Sequence, residues 1–218
     1  MARPSVEALR REQILKSTCK VVAKRGVAGL RISDVATDVG FSTGTIHYYF
    51  DDKESLLRAA FEYNVHHSIE RRQELLASTG DPLELLVRYV DSYLPDDRET
   101  VRAWRVWAEF WAASVRDTEL QEFIDILDMD WRAQVVRIIR QGQAEGVFRE
   151  GDALGYTNML IGMVDGLAVQ VLSRSQEMDV TVMADTLHSF IEEFLAVAPG
   201  APTAQPGATS PSSVPSTP

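Results

Sequence analysis

Apolar residues recur at three- and four-residue spacing along almost the whole chain, and no run alternates convincingly with period two. The pattern predicts an all-α protein. Val6 to Lys24 reads as a first helix, with Ile14, Val21 and Val22 among its apolar positions and Gly26 closing it. Ser33 has the character of an N-cap for a short second helix that stops at Gly40, and Ser42 caps a short third helix ending near Phe50. Asp51 and Glu54 have the form of a capping box that opens a long fourth helix reaching about Ala77. Pro82 suits the first turn of a fifth, which ends near Leu94. Further helices are expected over roughly Asp97 to Val115, Thr118 to Ala144 with Asp117 as cap, Asp152 to Ser173, and Thr181 to Val197. The tail at 199–218 holds six of the nine prolines and no charge, a composition that cannot offset its ordering entropy, so it is expected to be disordered.

Charge divides this helical chain in two. Residues 1–50 hold eight Lys/Arg against four acids, a net of +4, while the whole chain carries −10. A basic end on an acidic body predicts a polyanion-binding module joined to something that binds no polyanion. The single cysteine, Cys19, allows no intrachain disulfide, which fits a reducing cytoplasm. The N-terminus has no apolar segment of the signal-peptide kind, and the most apolar stretch, Ala153 to Val164, is too short to span a bilayer, so no membrane partner is expected. There is no glycine-rich phosphate loop after a strand, no nucleophile elbow and no metal-ligand cluster. The reading is therefore of a protein without catalytic residues, metal or cofactor.

The basic end has the form of a DNA reader. Three short helices with a tight turn at Gly40 suggest a helix-turn-helix, whose last helix meets the major groove. Small side chains at Ser42, Thr43, Gly44 and Thr45 allow close approach, and their hydroxyls and the first-turn N–H groups can reach phosphates. His47 and Tyr48 fall on the outer face, while Ile46, Tyr49 and Phe50 fall inward. Arg31 and Ser33 at the start of the second helix, and Lys53 in the first turn of the fourth, complete the DNA-facing set. The stretch "RISDVATDVGFSTGTIHYYFDDKESLL" resembles the helix-turn-helix signature of the tetracycline-repressor (TetR) family of bacterial regulators. It departs at His47, where that family most often has tyrosine.

This resemblance implies a homodimeric helical repressor that a small molecule releases from a palindromic operator. Its expected parts are a DNA-binding domain at 8–68 and a ligand-binding and dimerisation domain at 69–198. In the second, Gly162 and Gly166 on the apolar eighth helix, with Leu187, Phe190 and Phe194 on the ninth, are the candidate dimer interface. Trp104, Trp107 and Trp111 share one face of the sixth helix and can fill a core or line a cavity. If they line one, Tyr89, Tyr93, Glu109, Trp131 and Gln134 are the candidates for its remaining wall, and aromatic faces with an acid favour a cation. The segments "WAEFWA", "QAEGVFR" and "DGLAVQ" resemble the BetI-like C-terminal type of the same family, for which choline-type ligands are known. The alternative from the residues alone is a helical adaptor that acts only through protein contacts.

Overall fold

The computed structural model describes residues 5–77 and 80–197. The predicted tail at 199–218 lies outside them. Among the described residues there are ten α-helices, a closing π-helical segment and no strand beyond an isolated bridge between Phe148 and Ala196.

Helix α1 (Val6–Gly29) breaks internally at Gly26, whose φ of 75° only glycine adopts at ease. It is followed by α2 (Ile32–Val39), α3 (Thr43–Tyr49) and α4 (Lys53–Glu70). A short α5 (Gln73–Ala77) precedes α6 (Pro82–Asp91), α7 (Arg98–Ser114), α8 (Thr118–Ala144), α9 (Ala153–Leu172) and α10 (Val180–Ser189), which runs into the π-helical Phe190–Leu195. Most of these begin at a side chain that takes up an orphan first-turn N–H. Asp97, Asp117, Asp152 and Asp179 cap α7 to α10 in this way.

Three predicted boundaries move. Ser33 is not a cap: α2 starts one residue earlier, Arg31 precedes it without a side-chain bond, and Ser33 lies inside the helix with its carbonyl accepting from Thr37 Oγ1 at 2.8 Å. The capping box of α4 uses Asp52 and Ser55, not Asp51 and Glu54; Ser55 N–H donates to Asp52 Oδ1 at 2.7 Å and Ser55 Oγ accepts from Asp52 N at 3.2 Å. Helix α4 stops at Glu70 and not near Ala77, because Arg72 turns inward. Its guanidinium donates to Ser68 O, Ser68 Oγ, Ser92 Oγ and Ser92 O at 2.5–2.7 Å.

Two cores hold the fold together. The first gathers Ile14, Val22, Leu30, Val35, Ile46, Phe50, Leu56 and Phe61 from α1 to α4, and is completed by Val106 and Phe110 of α7 and Leu120 and Ile124 of α8. The second is built by α6 and α8 to α10 around Leu86, Ile138, Ile139, Leu160, Met183 and Leu187. Helix α7 belongs to both: Val106 and Phe110 face the first, Trp104 faces the second, and Trp107 packs against each. The basic end is thus seated directly on the helix that carries the tryptophans.

Candidate functional site

The α2–α3 turn is made by Gly40, which takes the left-handed conformation at φ 72° and bonds back to α2. Phe41 N–H follows with a 2.9 Å bond to Ala36 O, and its ring packs on the first core. Ser42 Oγ then accepts from Thr45 N–H at 3.0 Å and pairs with Thr45 Oγ1 at 2.9 Å, so α3 begins with its cap fixed. Ile46 is fully buried and Phe50 nearly so, which pins the inner face. Thr43, Gly44, His47 and Tyr48 stand exposed on the outer face, with Tyr48 74% accessible and held edge-on to Tyr49. Arg31 and Ser33 are exposed beside them. Three of the predicted readers are engaged internally: Ser42 and Thr45 with each other, and Lys53 Nζ with Ala28 O at 3.4 Å.

A cavity of about 80 Å³ lies at the meeting of α4, α7, α8 and α9. Tyr93, Trp104, Trp107 and Trp131 wall it with rings, and Asp128 and Asp165 contribute carboxyls. The rings are braced from behind. Trp104 Nε1 donates to Tyr93 O at 2.7 Å, Phe61 stacks on Trp107 at 5.3 Å, and Tyr89 OH meets Tyr93 OH at 3.3 Å. Tyr93 and Trp131 stand 5.1 Å apart, tilted by 46°. The guanidinium of Arg72 lies 3.5 Å over the Tyr93 ring. Burial pulls the Arg72 guanidinium below its usual range, and pushes both tyrosine phenols above theirs. The Asp165 carboxyl is pushed up to about 7 by burial and then by the charge of Asp128, against a smaller pull from Arg132. Trp131 Nε1 and Asp165 Oδ1 are buried with no hydrogen-bond partner among the described residues.

Both halves of this arrangement match one family. Residues 14–60 match the model of bacterial regulatory proteins of the tetR family, and residues 82–196 match that of the BetI-type transcriptional repressor, C-terminal. The chain belongs to the TetR family. The BetI-type match alone covers more than half of it, so this TetR-family chain is a DNA-binding transcriptional regulator of the ligand-responsive kind. It is 35% identical over 121 residues to the HTH-type transcriptional regulator BetI of Stenotrophomonas maltophilia, covering 55% of this chain and 62% of that protein. Against BetI of Yersinia pestis the identity is 26% over 201 residues, covering 89% and 97%. Among solved structures, a transcriptional regulator from Saccharomonospora viridis in complex with choline is 32% identical, with a TM-score of 0.83, covering 87% of this chain and 99% of that one.

Within the TetR-family body the predicted cavity set divides. Tyr93, Trp104, Trp107 and Trp131 line the cavity, and Tyr89 stands one layer behind as the support of Tyr93. Three expected lining residues lie elsewhere. Trp111 shares the tryptophan face but lies a turn beyond the cavity and is 48% exposed. Glu109 is on the opposite side of α7, where its Oε2 accepts from Val27 N–H at 3.0 Å, beside the break at Gly26. Gln134 is half-buried away from the lining. The lining that sequence reasoning missed comes from other helices: Asn64 and Ser68 of α4, Arg72 after it, Asp128 of α8 and Asp165 of α9. Of these, only Asp165 left a signal, as the lone acid inside the apolar run of α9.

The predicted interface set divides too. Gly162 and Gly166 are exposed with open space above them, and Met159 and Val169 extend the same stripe of α9 at 51% and 41% exposure. Phe194 is 45% exposed, and stacks on half-buried Phe190 at 5.1 Å. Leu187 is corrected: it is fully buried in its own protomer's second core and cannot face a partner. No helix among the described residues is long and apolar enough to cross a membrane.

Proposed function

We propose that this regulator is a repressor in which α3 reads operator DNA, a second copy of the chain supplies the other half-site reader, and a small cation in the aromatic cavity ends binding. The observation that carries the effector's charge is the cavity itself: the rings of Trp104, Trp107 and Trp131 and the carboxyls of Asp128 and Asp165 around about 80 Å³, beside a Tyr93 ring that Arg72 already covers. Ring faces attract a cation, and a carboxylate adds to the attraction. The volume is far below the roughly 300–1,000 Å³ of drug-sized pockets, so the effector is a molecule of few heavy atoms. The choline complex of the Saccharomonospora viridis relative supports a quaternary ammonium compound of that size.

The working division is a DNA-binding domain at 8–68 and an effector and dimerisation domain at 69–198. Thr43, Gly44, His47 and Tyr48 are assigned the groove, with Arg31, Ser33, Ser42, Thr45 and Lys53 around them on the sugar-phosphate side. The open stripe of α9 through Gly162 and Gly166, with Phe190 and Phe194, is assigned the two-fold interface of a homodimer on a palindromic operator. We assign the protein to the cytoplasm, where its DNA is, and give it no catalytic role. A gel shift on the gene's own upstream DNA, with and without millimolar choline, tests the whole reading. Binding that weakens with salt and is lost with choline supports it. Binding indifferent to choline and to other small quaternary cations refutes the effector assignment.

A further inference from the structure

Four arginines among the described residues are buried or half-buried: Arg58, Arg72, Arg102 and Arg132. Three of them have partners. Arg58 pairs with Glu54 and Glu119, Arg132 with Asp128, and Arg72 with the serines and the Tyr93 ring. Arg102 makes no ion pair and no side-chain hydrogen bond among the described residues. A charge drawn from water without a partner is costly, so it marks a place where an anion or ordered water belongs. Arg102 lines a second cavity, of about 40 Å³, where α1, α4 and α7 meet. Lys16, Tyr63, His67, Arg71 and Glu99 line it too. The Lys16 ammonium and the Tyr63 hydroxyl are also without a hydrogen-bond partner among the described residues. Glu99, the acid of the lining, is matched by His67 Nε2 at 2.9 Å and by Arg71 at 3.8 Å. Three cations thus face one carboxylate, and that carboxylate is engaged. Burial first, and then the charge of Glu12, hold the Tyr63 phenol above its usual range, so it keeps its proton as a donor. The Cys19 thiol on the same wall is pushed up to about 12 by burial, against a pull from Arg102, and adds no negative charge.

We propose that this second cavity is a binding site for a phosphate group, held by the Arg102 guanidinium, the Lys16 ammonium and the Tyr63 hydroxyl. The three groups offer only donors, and two of them are charged, which calls for an anion with several acceptor oxygens. A guanidinium gives such an anion two parallel hydrogen bonds, and an ammonium adds a point charge. A carboxylate has two oxygens for three donors, and its single charge leaves one of the two free cations unmatched. The volume has room for only two or three waters, so the bound group is compact. The site is separate in chemistry from the aromatic cavity and does not depend on what that cavity takes: Lys16, Tyr63 and Arg102 do not line it. The two cavities nevertheless share a wall, since Asn64, Ser68 and Arg71 of the α4 end line both. A phosphate here joins Lys16 of α1, on the DNA-reading side, to Arg102 of α7, which carries the tryptophans. The same chemistry is presented by free inorganic phosphate and by the terminal group of a phosphate monoester.

The test is calorimetric titration of the full chain with inorganic phosphate and with glycerol 3-phosphate, against sodium chloride at matched ionic strength. It is run on the wild type, Arg102→Gln, Tyr63→Phe and Arg140→Gln, the last removing an exposed charge outside the cavity. The wild type is expected to bind one phosphate per protomer, saturably, with no such response to chloride. Arg102→Gln should weaken that binding about 10-fold or more, Tyr63→Phe by a smaller factor, and Arg140→Gln not at all. Binding of inorganic phosphate with exclusion of the monoester supports a closed site for the free ion. Equal or tighter binding of the monoester supports a site for the phosphate end of a larger molecule. A response that chloride reproduces, that does not saturate, or that survives unchanged in both Arg102→Gln and Tyr63→Phe overturns the proposal. If Arg102→Gln does not fold, Tyr63→Phe, which loses only a hydroxyl, decides in its place.

Discussion

Replacing Asp165 with asparagine removes a carboxyl that its surroundings push from the ordinary 3.8 up to about 7. Between those two values the folded protein holds a proton that the unfolded chain has released. Stability therefore falls as pH rises through this window, and the loss is complete once the folded carboxyl has ionised, above pH 7. Each pH unit inside the window costs about 1.4 kcal/mol. From pH 5 to pH 8 the crossing amounts to roughly 3 kcal/mol, or about 6–12 °C in Tm for a chain of this size. Asparagine has no such ionisation. The variant should match the wild type near pH 5 and exceed it by most of that amount at pH 8. Thermal unfolding of both proteins at pH 5, 6, 7 and 8, at one protomer concentration, measures the difference directly. A gap between the two that stays constant with pH would refute the reasoning, since it would mean that Asp165 is ordinary in the folded state.

The same ionisation should appear in binding: choline affinity is expected to fall as pH drops below about 7, where Asp165 takes up its proton, and titrations at pH 6 and 8 check it. Thr43→Ala combined with Tyr48→Ala should weaken operator binding by about 10- to 100-fold in a gel shift. Because both residues are exposed, the unfolding midpoint should not move. Glu109→Ala removes the exposed hydrogen bond to Val27 N–H, which water can replace, and should cost no more than about 0.5–1.5 kcal/mol of stability. It should also blunt choline-driven release from DNA while leaving choline affinity, read by calorimetry, unchanged. Gly162→Glu places a charge on the open stripe of α9 and should shift sedimentation toward monomer with helix content retained.

Features legible in the sequence were those written by local hydrogen bonds. Gly40, Ser42 and Asp117 each act through groups within a few residues, and their roles follow from the adjoining chain. The inward and outward sides of α3 were equally legible, since Ile46 and Phe50 must be buried whatever binds outside. The cavity was only half legible, because its rings announce themselves while their partners do not. Arg72 sits in the charged run Glu70–Glu74, which has the composition of a solvated face, and its burial is decided by Ser92 twenty residues later. Glu109 could not be placed because α7 is apolar on two sides, and periodicity does not say which side meets which core. Leu187 failed for a related reason: one apolar stripe looks the same whether its own protomer or a partner covers it.

Arg72 has a consequence for how the cavity responds. Among the described residues it has no acid within ion-pair distance; four serine oxygen contacts and the face of Tyr93 hold it. A cation of the protein's own thus already rests on one ring of the cage, at the junction where α4 ends. Under the reading proposed above, a cationic effector competes with Arg72 for that ring. The concentration at which it prevails is then set partly by how firmly the arginine is held. That hold runs through Ser92, a residue outside the lining, so sensitivity can be retuned there without altering anything the effector touches.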